Sequence, residues 1–246
     1  MDVKAMIISV FEMFKIGIGP SSSHTVGPMV AAKRFAQSLE EADLEPVRVI
    51  IRFYGSLALT GEGHWSDKAV ILGLSGEEPQ YINPDQVEAI LDEVLQNRHL
   101  LLNGGRSIIF DQDKDIRFEQ RKRLPFHSNA MKCEALNEEG QIIFDRLYYS
   151  IGGGFVLDEF EAGRNSPHGE EVIVPHPFSS AKELLELGRK EGLGIAEIMM
   201  ENERARAEQR DIEAGLDKIA DVMNACIDRG CRRDGKLPGV LNVPRR

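Results

Sequence analysis

The chain is poor in the residues that would mark several protein classes. Of its 246 residues only three are cysteine, Cys133, Cys226 and Cys231, and one is tryptophan, Trp65. Thiols so few, odd in number and scattered do not build the disulfide framework of a small secreted domain; they fit a reduced, cytoplasmic protein. No run approaches the roughly 18 apolar residues of a spanning helix, and the start, Met1 to Ser9, has neither a long apolar region nor a small-residue cleavage site. Neither membrane insertion nor export is expected. Positive charge is also scarce: 40 acidic against 30 basic residues leave a net charge of −10, which argues against nucleic acid as a partner.

What is present is enough chain for one large or two modest domains with a core that needs no covalent staples. Ser9-Val-Phe-Glu12 is a capping-box pattern and predicts a short helix through Phe14, ending at Gly17. A second helix is predicted after the serines at 21–23, carrying Val26, Val30, Phe35 and Leu39 on one side and tolerating Pro28 in its first turn. The alternation of Val47 to Tyr54 predicts a strand leading to Gly55-Ser56. Helices follow from Ser66, as the capping residue, and from Pro84 to Gln96. Two β-hairpins are expected, one around Gly104-Gly105 and one around Asn137-Glu-Glu-Gly140.

From Gly152 to Ser180 glycines and prolines replace periodicity, which predicts a linker. Beyond it, 181–191, 195–208 and 212–228 are helical in pattern, and the last residues, 235–246, read as loop. The fold class expected is α+β, an amino-terminal domain of mainly antiparallel sheet with helices, followed by an all-α segment.

The richest stretch chemically is Gly19-Pro-Ser-Ser-Ser-His-Thr-Val-Gly-Pro28, with four hydroxyls and an imidazole in five positions. Small residues ahead of a helix leave backbone N–H groups and the positive end of the dipole facing outward, which suits a carboxylate or phosphate. The same serines also fit simple helix capping. His64 stands just before a predicted helix, where the dipole favours the neutral, basic imidazole, and Gly61 and Gly63 allow close backbone approach. His127-Ser128-Asn129 adds an imidazole, a hydroxyl and an amide that turn chemistry alone could also explain. His99, His168 and His176 match no motif and read as surface or loop histidines.

Four stretches together carry a family resemblance: Ile8 to Pro28, Tyr54-Gly-Ser-Leu-Ala-Leu-Thr-Gly-Glu-Gly-His64, Pro125-Phe-His-Ser-Asn-Ala-Met131 and Tyr148-Tyr-Ser-Ile-Gly-Gly-Gly-Phe155. In this order they resemble the amino-terminal portion of the iron–sulfur L-serine dehydratases, also called L-serine deaminases or L-serine ammonia-lyases. The resemblance implies a β domain at 1–155, a linker at 156–180, and the start of a truncated all-α catalytic domain at 181–246. It implies dehydration of L-serine to pyruvate and ammonia, with a 4Fe-4S cluster as the acid and no pyridoxal phosphate. The cluster ligands are expected beyond residue 246, leaving no metal site in this chain. A catalytic α domain or subunit and a homodimer are the implied partners.

His64 and His24 are then the catalytic candidates, as base and as proton relay or carboxylate orienter. Ser21, Ser22, Ser23, Thr25, Ser56, Thr60, His127, Ser128 and Asn129 are the implied substrate contacts. No Ser-His-Asp arrangement is visible, and dehydration needs no acyl intermediate. The chain departs from the family pattern at Glu62, where lysine is common, at Trp65 and Ser66, where a small or polar residue and threonine are usual, and at Ala130, a frequent glycine. Glu62 is expected to weaken carboxylate attraction, and Trp65 to narrow the pocket. The competing reading is a serine-binding regulatory module without chemistry, which would need the hydroxyls but not the base at His64.

Overall fold

The computed structural model describes residues 8–163, 173–206, 211–236 and 243–244. The chain forms two compact units: a sheet unit of Ile16–Pro167 with Asp234–Arg246, and a helical unit of Met1–Lys15 with His168–Arg233. The first helix, α1 (Val10–Met13), belongs to the helical unit although it opens the chain. Its capping box forms as predicted, Ser9 Oγ accepting from Phe11 N–H and the Glu12 carboxylate from Ser9 N–H. Ser9 Oγ and Val10 N–H also donate to the buried Glu203, at 2.9 and 2.7 Å.

In the sheet unit a π-helical turn, Ser22–Val26, runs directly into α2 (Gly27–Glu41), with Pro28 in its first turn. Met29, Ala32, Phe35, Ala36 and Leu39 form the buried stripe of α2, while Val30 is only half-buried. Strand β1 (Arg48–Tyr54) alternates as predicted: Val49, Ile51 and Phe53 are fully buried, and Arg48 and Arg52 face the other way. The chain then forms α3 (Gly55–Thr60), a 3-10 turn at Glu62–His64 and α4 (Ser66–Leu74). The helix at α3 was not expected from the pattern; it is short and is entered through Gly55 at φ +56°. Ser66 is not the cap of α4. Trp65 holds that position in the left-handed region, and Ser66 is the buried first residue of the helix, its hydroxyl turned elsewhere.

Helix α5 (Val87–Asn97) precedes the first hairpin, β2 (His99–Leu102) and β3 (Arg106–Ile109). A single turn, α6 (Gln112–Asp115), separates β3 from β4 (Ile116–Glu119). Both β3 and β4 pair parallel with β1, β3 at its start and β4 along its second half. The second hairpin is β5 (Asn129–Leu136) and β6 (Ile142–Gly152). The linker predicted to begin here does not begin: β7 (Phe155–Asp158) returns along β6, and α7 (Glu159–Ala162) follows with its own capping box. Three glycines at 152–154, all at positive φ, make the tight reversal and hide the strand from a reading by periodicity.

The sheet runs β2-β3-β1-β5-β6-β7, with β4 also beside β1, so it is mixed rather than purely antiparallel. One face is covered by α2 and α4, which pack so closely that a Cβ on Gly73 would lie 2.2 Å from the Met29 carbonyl oxygen. Cys133, on β5, is one of the fully buried core residues, as expected for a small hydrophobe in a strand. The fold class is α+β.

The helical unit carries α8 (Ala181–Glu191), α9 (Ile195–Arg206) and α10 (Ile212–Arg232), close to the predicted spans. His176 lies in a loop, as expected, and is held there: its Nε2 meets Glu201 at 2.5 Å, and its backbone is bonded twice to the buried Asn202. His168, residues 207–208 of the helix predicted over 195–208, the linker stretch 164–172 and most of the closing loop lie outside the described residues. Among the described residues no helix is long and apolar enough to cross a membrane.

Candidate active site

The serine-rich end of the first motif and the other three motifs meet in the sheet unit through hydrogen bonds between residues far apart in the chain. Ser21, in extended conformation, caps the π-turn, its Oγ accepting from His24 N–H at 3.2 Å. A π-turn is wider than an α-turn and recurs at functional sites. Here it presents Ser22 as exposed and Ser21, Ser23 and His24 as half-buried on the same short segment. The Oγ of Ser23 lies 2.8 Å from His24 Nδ1, and His24 Nε2 lies 3.1 Å from Ser56 Oγ at the start of α3. His24 therefore bridges the first motif to the second. Burial, and after it the neighbouring His64, hold the His24 imidazole below its ordinary pKa.

His64 closes the 3-10 turn, with its ring 5.0 Å from that of His24. Its Nδ1 is 2.8 Å from the carbonyl oxygen of Thr60. A carbonyl only accepts, so Nδ1 must carry the hydrogen, and in the neutral ring the lone pair lies on Nε2. Among the described residues nothing is bonded to that nitrogen. Thr60 itself is exposed, and its hydroxyl donates back to the Ser56 carbonyl at 3.0 Å. Thr25, expected as a substrate contact, is fully buried with its hydroxyl directed inward, onto the His64 carbonyl oxygen at 2.7 Å. In this conformation it supports the site instead of lining it.

The third motif joins through backbone. Ser56 N–H donates to the Ser128 carbonyl at 2.8 Å, and Gly55 pairs with Asn129. His127 Nδ1 accepts from Asn129 N–H at 3.1 Å, which leaves the hydrogen of the neutral ring on Nε2. Ser128 is exposed, whereas Asn129 is buried, its Nδ2 donating to the Ser150 carbonyl at 3.2 Å and its Oδ1 without a partner. Ser150 lies in the fourth motif. Its hydroxyl donates to the Ser23 carbonyl at 2.7 Å and closes the ring of contacts. A Cβ on Gly27 would lie 2.0 Å from that hydroxyl oxygen, so glycine there is what lets β6 approach the π-turn. The signal for Ser150 was its place in the quoted Tyr148–Phe155 motif, since nothing local marks it.

Of the departures from the family pattern, Glu62 is exposed, Trp65 packs against the main core with Lys68 Nζ 4.2 Å from its ring centre, and Ala130 is buried beside Tyr54 and Tyr149. The arrangement offers an imidazole with one uncommitted ring nitrogen beside a second imidazole and a set of hydroxyls. The cysteines do not fit a 4Fe-4S cluster, which is held by several convergent thiolates. Cys133 is buried and its thiol is pushed well above its ordinary pKa by that burial. Cys226 and Cys231 are exposed on α10, and five residues of α-helix turn them about 140° apart. Among the described residues no group of three or more His, Cys, Asp or Glu is gathered for a metal ion.

Comparison with known proteins gives the chain a family. Residues 9–161 match the family model of the serine dehydratase beta chain. The chain is 44% identical over 243 residues to the L-serine dehydratase of Streptomyces coelicolor, covering 98% of this chain and 53% of that one. It is also 44% identical to L-serine dehydratase 1 of Escherichia coli, with the same coverage, and 43% identical over 238 residues to the L-serine dehydratase of Helicobacter pylori, of which it covers 52%. The chain thus spans about half the length of the relatives it matches. With the family model matching more than half of its length, this chain belongs to the serine dehydratase family, in its beta-chain portion.

Proposed function

We propose that this chain supplies the substrate-binding and proton-abstracting part of a cytoplasmic L-serine ammonia-lyase. The observation that carries the reading is His64: its Nδ1 hydrogen is committed to Thr60, which leaves Nε2 as a base next to the hydroxyl-rich π-turn. A regulatory serine-binding module would need the hydroxyls but not this base. In the proposed reaction Nε2 takes the Cα proton of L-serine, the Cβ–O bond breaks and the hydroxyl leaves as water. The resulting aminoacrylate tautomerises and hydrolyses to pyruvate and ammonia. Ser21, Ser22 and Ser23, with N–H groups at the start of the π-turn, hold the carboxylate; His24 orients it; Ser56, Thr60, His127, Ser128 and Asn129 complete the contact set.

The leaving hydroxyl needs an acid that these residues do not provide. The family resemblance assigns that acid to a 4Fe-4S cluster, whose ligands we place outside this chain, in the remaining length of the relatives. The helices after residue 180 are then the opening of the catalytic domain. Two features of the helical unit support this. Among the described residues its buried apolar side chains are only Val174, Ile198 and Ile212, too few for a self-sufficient core. On α10 the residues Ile212, Leu216, Ile219, Met223, Cys226 and Ile227 fall within about 100° of arc, yet Ile212 alone is buried.

Two expected results follow. Purified residues 1–246 give no iron–sulfur absorbance after anaerobic reconstitution and no pyruvate from L-serine, whereas the same chain together with the remaining half gives both. Pyruvate formation by the chain alone, or none by the complete protein, would overturn the assignment. In thiol labelling of the isolated chain, Cys226 and Cys231 react and Cys133 does not. In the complete protein Cys226, on the apolar arc, becomes protected while Cys231, off it, stays reactive; equal reactivity of Cys226 in both would place the partner elsewhere.

A further inference from the structure

Thr25 and Ser66 are polar residues with no exposed surface, and each spends its hydroxyl on the backbone of the other histidine's segment. Thr25, next to His24, donates to the carbonyl oxygen of His64 at 2.7 Å. Ser66, two residues after His64, donates to the carbonyl oxygen of His24 at 2.5 Å. The two bonds cross. A threonine in a helical turn ordinarily returns its hydroxyl to a carbonyl four residues earlier; Thr25 instead reaches across 39 positions. Its oxygen also accepts from Ser21 N–H at 3.2 Å, tying in the cap of the π-turn.

We propose that Thr25 and Ser66 form a reciprocal clamp that fixes the separation and tilt of the His24 and His64 rings, and that they are positioning residues for proton transfer at His64. The geometric half of this inference stands alone, and the catalytic half rests on the dehydratase reading.

No hydrogen bond joins the two rings directly. Each is held from its own side, His64 by Thr60, and His24 by Ser23 and Ser56. Their 5.0 Å spacing is therefore set by how the π-turn and the start of α4 are joined, and the crossed hydroxyls join them. One bond alone would leave a pivot; two bonds of opposite sense resist both sliding and rotation. The depressed pKa of His24, caused by burial and then by His64, agrees with rings held close enough to sense each other. At position 66 the clamp needs a hydroxyl that reaches the His24 carbonyl, which serine supplies. Only the hydroxyl is used.

The test compares Thr25→Val and Ser66→Ala, which remove one hydroxyl each, with Thr25→Ser and Ser66→Thr, which keep it. In the isolated chain, cross-relaxation between the His24 and His64 ring protons, measured by NMR, should disappear in the first pair and persist in the second. In the complete protein kcat should fall about 10–100-fold in the first pair, as expected for a displacement near 1 Å, with KM changed less than about threefold and recovery in the second pair. If Thr25→Val does not fold, Ser66→Ala decides. Ring contact and kcat retained within about twofold in Ser66→Ala, or equal losses in Thr25→Val and Thr25→Ser, would overturn the clamp. A complete protein that makes no pyruvate at all sinks the dehydratase reading instead, and leaves the ring contact to judge the geometry.

Discussion

Replacing His64 by alanine in the complete protein should lower kcat by about 10²–10⁴-fold while changing KM far less, the pattern of a lost general base. The imidazole is half-buried, and its hydrogen bond is to the carbonyl of exposed Thr60, so the fold should tolerate the change with a stability loss of no more than about 0.5 kcal/mol. Binding should survive because the groups assigned to the carboxylate sit on the π-turn and keep their own partners: Ser21 on His24 N–H, Ser23 on His24 Nδ1. Steady-state pyruvate formation at saturating L-serine measures kcat. Exchange of the Cα hydrogen of serine with deuterated solvent isolates the proton step, and it should be lost with His64. Near-normal turnover would make His64 a structural residue, and the serine-binding module would become the better account of the chain. Replacing His24 by asparagine is the informative contrast. Asparagine can still reach a neighbouring hydroxyl but cannot relay a proton, so a drop comparable to that of His64→Ala would move His24 from orientation into the proton path.

The elements legible in the sequence are those whose cause is local. The capping box at Ser9–Glu12, the alternation of Val49, Ile51 and Phe53, and the polar reversal at Asn137–Gly140 each lie within one short window, and each is found where it was expected. Elements decided by distant partners were not legible. Strand β7 follows three glycines and exists because β6 offers it an edge. Helix α3 begins at a residue whose positive φ is held by pairing with Asn129, more than seventy positions away. For the site, residue types and motifs marked the histidines and the serine cluster, because imidazoles and hydroxyls concentrated in five positions are unusual anywhere. They did not separate residues that face outward from residues that hold the others. Thr25 and Ser66 look like a substrate contact and a helix cap until the fold turns them inward, and Ser150 acquires its role from Ser23 across 127 positions.

Gly55→Ala should be among the most damaging single-methyl additions in the sheet unit. Gly55 has φ +56°, a conformation that costs an alanine about 1–2 kcal/mol. The added Cβ would also lie 2.3 Å from the Ser128 carbonyl oxygen and 3.2 Å from its carbon, both backbone atoms. That backbone has no freedom to withdraw. Ser128 carbonyl accepts from Ser56 N–H at 2.8 Å, Gly55 N–H donates to the Lys122 carbonyl at 3.0 Å, and Gly55 pairs with Asn129 across the junction of β1 and β5. Relieving the clash therefore breaks the joint between the second and third motifs, and overpacking of this kind adds about 1–3 kcal/mol. A total near 2–5 kcal/mol is expected. Gly63→Ala is the control: it lies in the same motif, at ordinary φ, with nothing within 4 Å of the added Cβ, so it should be neutral or slightly stabilising. The single tryptophan, Trp65, packs against the core of the sheet unit, so its fluorescence during urea unfolding follows that unit and not the helical one. If Gly55→Ala and Gly63→Ala shift that transition equally, Gly55 is not the constrained hinge between β1 and α3. If only Gly55→Ala shifts it, the glycine in Tyr54-Gly-Ser56 is there because no side chain fits where the strand hands the chain to the segment that carries Ser56 and His64.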